Sequence, residues 1–137
     1  MATWADVVRI VADLPLTGEH APRDWRVGKK LMAWERPLRG SDREALTRAG
    51  VEPPRGDILA VRVPDEGVKL ALVADQPEVY FTTPHFDGYA AVLVRLAEID
   101  VVDLEELITE AWLVQAPKRL VQEFLAQRPG ISPADSQ

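Results

Sequence analysis

The sequence predicts an α+β domain: a twisted, largely antiparallel sheet of about five strands with helices packed on it. Three observations predict it. Apolar residues recur at helical spacing in Trp4, Val7, Val8, Val11 and Leu14, and again in Leu104, Leu107, Ile108, Ala111 and Val114. Between them lie short runs rich in β-branched and aromatic residues, bounded by turn formers, which read as strands. Two of these runs are separated only by Gly28-Lys29, the spacing of a tight hairpin, so neighbouring strands run antiparallel.

The elements follow in order. Thr3 and Asp6 form an N-cap pair for the first helix, which Pro15 ends. Leu16 to Asp24 contains Gly18 and Pro22 and few apolar residues, and reads as a loop. Trp25 to Val27 and Lys30 to Arg36 are the hairpin strands; alternation puts Leu31 and Ala33 on one face and Lys30, Met32, Trp34 and Arg36 on the other. After Pro37, Ser41 and Glu44 match a capping box opening a short helix that Gly50 stops, and Glu52 to Gly56 is a linker. Asp57 to Val63 reads as a buried strand. Pro64 and Asp65 open a helix carrying Val68, Leu70, Leu72 and Val73 that ends before Pro77. Val79 to Thr82 and Ala91 to Leu96 are two more strands, joined by the loop Thr83 to Ala90. A long helix opens at Asp103 with Glu106 in the capping position, Pro117 interrupts it, and a short helix follows over Lys118 to Ala126.

At 137 residues, with 47% hydrophobic and 28% charged residues, the chain falls in the range of one globular domain. The expected division is a single domain over 1–127 and a flexible tail over 128–137. The absence of cysteine removes disulfides, thiolate metal sites and cysteine nucleophiles, and agrees with a reducing compartment. Asp6, Arg9 and Asp13 interrupt what would otherwise be an apolar leader, and no run approaches a membrane span, so the expected location is cytoplasmic with no membrane partner. A net charge of −6 argues against a protein that coats nucleic acid, since such binding neutralises many phosphates. The charge is uneven: Arg23 to Arg43 holds seven Lys and Arg against three acidic residues.

Three stretches carry a family resemblance: Trp25-Arg-Val-Gly-Lys-Lys-Leu-Met-Ala-Trp34, Tyr80-Phe-Thr-Thr-Pro-His-Phe-Asp-Gly-Tyr89, and Ala111-Trp112 with Ala116-Pro-Lys-Arg-Leu120. They resemble the bacterial-type MmcQ/YjbR family over roughly Trp4 to Leu125. The resemblance implies a frataxin/CyaY-like, double-wing sandwich. It also implies a DNA-binding role, the label that members of the family often carry. The helical insertion from Leu38 to Gly56 departs from the family's common pattern.

Two surfaces are candidate sites. The hairpin offers Arg26, Lys29, Lys30 and Arg36 to a phosphate backbone, with Trp25 or Trp34 to pack on a sugar or base; the alternative is a solvated sheet face with its tryptophans in the core. The loop offers His85, Asp87 and Tyr89, with Lys118 nearby, to a small molecule or protein partner; the alternative is a chain reversal in which Asp87-Gly88 is an ordinary turn. The acidic residues Asp100, Asp103, Glu105, Glu106 and Glu110 parallel the metal-contacting surface that a frataxin-like fold implies, but Asp103 and Glu106 are also what a helix start favours, and no metal or other cofactor is expected. No glycine-rich phosphate loop, His-Glu-x-x-His motif or nucleophile elbow is present, and a triad would need His85 to meet a hydroxyl such as Thr82 or Thr83. The expectation is therefore a non-catalytic binding domain, binding DNA through the hairpin or, alternatively, a small molecule or protein through the loop of His85 to Tyr89.

Overall fold

The computed structural model describes residues 1–127, so the tail expected at 128–137 lies outside the described residues. Helix α1 (Trp4–Ala12) is capped as predicted: the Thr3 hydroxyl accepts from the Asp6 amide, and the Asp6 carboxylate accepts from the Thr3 amide at 2.9 Å. The segment expected as a loop contains strand β1 (Thr17–Ala21), which pairs antiparallel with β2 (Asp24–Val27). This strand escapes sequence reading because it is an edge: it has one partner and buries neither face, so it carries a glycine and polar residues instead of an apolar alternation.

Strands β2 and β3 (Lys30–Glu35) form the predicted hairpin, with Gly28 at φ +59° in its two-residue turn. The predicted alternation along β3 does not hold. Trp25 pairs with Ala33 and Arg26 with Leu31, so Met32 is an extra residue opposite no partner. This bulge turns Met32 and Ala33 to the same side, and both are fully buried in the main core.

Helix α2 (Gly40–Arg48) begins two residues earlier than expected, with Arg39 rather than Ser41 at the N-cap, and Asp42 rather than Glu44 reaches back, accepting from the Arg39 amide at 2.9 Å. Next come β4 (Ile58–Arg62), α3 (Glu66–Asp75) with Asp65 as its cap, β5 (Tyr80–Phe81), a 3-10 turn at Pro84–Phe86, and β6 (Ala91–Arg95). Helix α4 (Val101–Gln115) starts before the predicted Asp103, because the Asp100 carboxylate accepts from the Asp103 amide at 2.8 Å. Helix α5 (Lys118–Ala126) follows Pro117.

The open sheet has the order β1-β2-β3-β4-β6-β5 with every neighbouring pair antiparallel, six strands where about five were expected. Strands β4 and β5 both pair with β6, so they run parallel to each other and α3 is their crossover. Period-two alternation sends Leu59, Val61, Val92, Val94 and Tyr80 to one face and Ile58, Ala60, Ala91, Leu93 and Phe81 to the other. Helices α1, α3, α4 and α5 cover the first face. Helix α2 covers the second through Leu46. Two long-range bonds fix α4 on the sheet: Trp112 Nε1 donates to the Pro15 carbonyl at 2.8 Å and Gln115 Nε2 to the Leu31 carbonyl at 2.7 Å.

Candidate functional site

The four hairpin cations do not form one surface. Arg26 is bound to the Asp24 carboxylate at 2.8 and 3.2 Å and donates to the Lys29 carbonyl at 3.2 Å, so its charge is met within the hairpin. Arg36, 9% exposed, lies inside the molecule, its guanidinium 3.1 Å from the Asp42 carboxylate and over the ring of Phe86. Lys29 and Lys30 remain exposed at the turn. Trp25 is buried against Trp4 in the main core, and Trp34 packs against Phe86. Neither ring is placed to receive a base.

The loop between β5 and β6 is a built structure. The Phe86 amide donates to the Thr83 carbonyl at 2.9 Å, Gly88 takes φ +77°, and the Phe86 ring fills the second core cluster. Its main anchor is Lys69, a residue of α3 that is completely buried. The Lys69 ammonium donates to the Phe86 carbonyl at 2.7 Å and the Tyr89 carbonyl at 2.8 Å, and pairs with Glu66 at 2.8 Å. All three protons of a buried ammonium are thus spoken for, as its burial requires. Tyr89 leans on Arg62, which sits 4.7 Å over its ring and donates to its hydroxyl at 3.2 Å. Asp87 makes no hydrogen bond to His85. No hydrogen bond among the described residues joins His85 to Ser41, Thr82 or Thr83. Lys118 opens α5, which seats Phe124 on Trp112 in the main core, while the His85 turn packs on the opposite face through Phe86, so the two are not brought together.

His85 instead faces α2. Its imidazole, Arg36, Arg39, Ser41, Asp42 and Arg48 line a cavity of about 240 Å³ between that helix and the 3-10 turn. Two candidate residues from different stretches, Arg36 and His85, therefore meet in one place. Burial alone would raise the Asp42 carboxyl, but the Arg39 amide and the Arg36 guanidinium outweigh it and hold the group below its usual value. Asp42 is engaged by those two donors. The side chains of Arg39 and Arg48 are exposed and have no partner among the described residues, so the cavity presents two unmatched guanidiniums beside the Ser41 hydroxyl and an imidazole. Arg39, Ser41 and Arg48 escaped the sequence reading as site residues because their only signal was a short polar helix. Their meeting with His85 crosses more than 35 positions of chain.

The acidic residues of α4 face the other side of the molecule. Among the described residues, no group of three or more histidine and carboxylate side chains is arranged to hold a metal ion. No helix among them is long and apolar enough to cross a membrane.

A family model described as YjbR matches residues 12–114. The chain is similar to the Uncharacterized protein Rv2570 of Mycobacterium tuberculosis (strain ATCC 25618 / H37Rv) and the Uncharacterized protein Mb2600 of Mycobacterium bovis (strain ATCC BAA-935 / AF2122/97). Each is 80% identical over 126 residues, which cover 92% of this chain and 98% of the relative, so the likeness extends over almost the full length of both. No solved structure matches.

Proposed function

The chain belongs to the YjbR family, and from that premise we propose that it is a non-catalytic binding domain whose site is the arginine-lined cavity between α2 and the His85 turn. One observation carries this reading: the Arg39 and Arg48 side chains, unpartnered among the described residues, share a cavity with Ser41 and His85 while the carboxylate there is already engaged. Guanidinium groups recognise oxyanions in a planar, two-pronged geometry, and a hydroxyl and an imidazole add donors. At about 240 Å³ the cavity lies below the usual range for drug-sized ligands, which suits a small oxyanion such as a phosphate or carboxylate group.

Isothermal titration with inorganic phosphate, a phosphate monoester and a dicarboxylate tests the reading. At least one should bind saturably, and the Arg39→Ala/Arg48→Ala variant should weaken it about tenfold or more. An unchanged affinity in that variant, or no binding by any of the three, sinks the proposal.

A second reading keeps the hairpin as a DNA contact, because Lys29 and Lys30 are exposed at its turn and have no ion-pair partner among the described residues. With Arg26 and Arg36 engaged internally, that contact is limited to two lysines.

A further inference from the structure

On the opposite face of the sheet, α3 and α4 stand apart over the β5 edge and leave a groove of about 740 Å³. Its walls are apolar, formed by Val63, Val68, Leu72, Leu107 and Leu113. Its α4 rim carries Asp103, Glu105, Glu106 and Glu110, and among the described residues no lysine or arginine lines it. The volume falls within the range of small-molecule sites, and apolar walls with a few converging polar groups are the usual composition of such sites.

An acidic rim alone is only a solvated helix face. The second observation is Tyr80. It is 3% exposed and lines the groove, and its hydroxyl has no hydrogen-bond partner among the described residues. The ring is packed into the core, while the hydroxyl is not among the sealed polar atoms that lack a partner, so it opens to the groove, where a ligand can pair it. Burial, with Asp103, Asp100 and Glu106 nearby, pushes its ionisation above the ordinary value, so the phenol is neutral at physiological pH and stands in the field of those carboxylates. A neutral hydroxyl oxygen among carboxylates matches a ligand that brings both positive charge and N–H donors. An anion would meet repulsion.

We propose that the groove between α3 and α4 binds a small amphiphilic organic amine: the apolar body packs between Val68, Leu72 and Leu113, and the ammonium group donates to the Tyr80 hydroxyl beneath the Asp103 and Glu106 carboxylates. Neither half of such a ligand suffices. A polyamine without an apolar body leaves the walls uncovered, and a neutral molecule leaves the carboxylates unmatched.

The test titrates 4-phenylbutylamine, its neutral analogue 4-phenylbutanol, and spermidine, following backbone amide chemical shifts. The amine should saturate with shifts confined to the groove, including Leu72, Gln76, Glu106 and Glu110, and the alcohol and spermidine should each bind about tenfold more weakly or worse. Glu106→Gln/Glu110→Gln, at two exposed positions, should weaken the amine by about tenfold and leave the alcohol unchanged. Tyr80→Phe should cost about fivefold, the size of one hydrogen bond. The proposal is overturned if the alcohol matches the amine, if spermidine matches it, if the amine fails to saturate below about 1 mM, or if the groove signals change with protein concentration alone because a second copy of the chain fills it. Arg39→Ala/Arg48→Ala, in the cavity on the other face, should leave amine binding intact, which separates this outcome from the fate of the anion site.

Discussion

Asp42 illustrates how one side chain serves both fold and site. Its carboxylate, almost fully buried, accepts from the Arg39 amide at the start of α2 and from the guanidinium of Arg36 at 3.1 Å. A buried pair of this kind is costly to break from one side, because the remaining charge loses its partner without regaining water. Its carboxyl is held below the ordinary value of 3.8. The folded state therefore binds the proton less readily than the unfolded chain, and the resulting stability is complete above the ordinary carboxyl range and disappears as pH falls through the depressed value. Asp42→Asn should lower stability by about 1–3 kcal/mol near neutral pH. In urea melts at a series of pH values, that deficit should shrink as the pH drops below about 4. A deficit independent of pH would place the cost in packing rather than in charge. The same residue marks a limit of sequence reading: Arg36 looked like an outward cation because strand alternation grouped it with Lys30, whereas its amide still pairs with the Ile58 carbonyl of β4 at 3.0 Å and its side chain lies with Trp34 on the face that Phe86 and α2 cover, where the Asp42 carboxylate meets it.

At the scale of elements, the legible parts were those with a strong local signal. The Thr3–Asp6 cap, the Gly28 turn, the doubly buried β4 and the cap at Asp65 all state their structure within a few residues. Strand β1 does not. Thr17-Gly-Glu-His-Ala21 has no apolar alternation, and what makes it a strand is the edge of β2 waiting beside it and the Thr17 hydroxyl donating to the Val11 and Leu14 carbonyls at 2.8 and 2.7 Å. The bulge at Met32 is equally nonlocal, because only pairing with β2 reveals the extra residue. The docking of the His85 loop belongs here too. It depends on Lys69, which no motif or spacing in the sequence singles out. Its ammonium reaches through the interior from α3 to two loop carbonyls, next to a Glu66 Oε2 that has no hydrogen-bond partner among the described residues. Lys69→Met keeps the apolar stem but takes the ammonium from both carbonyls, which are left with only the Tyr89 and Ala91 amides at 3.0 and 2.8 Å, and leaves the Glu66 carboxylate without its cation. It should cost about 3 kcal/mol in thermal or urea unfolding and speed amide exchange at Phe86 and Tyr89. Equal exchange rates in the two proteins would mean that the loop is held by Phe86 packing alone.

At the scale of the whole molecule, the two cavities lie on opposite faces of the sheet with opposite charge: arginines without a partner among the described residues line the one beside α2, and carboxylates rim the one beside α4. This contrast was half visible in the sequence as the basic segment Arg23 to Arg43 and the acidic residues from Asp100 to Glu110, but which cations remain free could not be read, because Arg26 and Arg36 are consumed by Asp24 and Asp42 through folding. It decides how the two functional readings separate. Each phosphate neutralised on a duplex contributes about −0.9 to the slope of log affinity against log salt. A hairpin whose free cations are Lys29 and Lys30 can contribute a slope of only about −2, and the net charge of −6 opposes even that contact. In fluorescence anisotropy with a short duplex, binding should therefore be weak at low salt, with a shallow slope that Lys29→Glu/Lys30→Glu abolishes. Phosphate binding by the α2 cavity should survive that double variant and be lost in Arg39→Ala/Arg48→Ala. A slope of about −5 or steeper would require cations beyond the hairpin, and if Arg39→Ala/Arg48→Ala then reduced it, the cavity and the DNA contact would be parts of one surface rather than rivals.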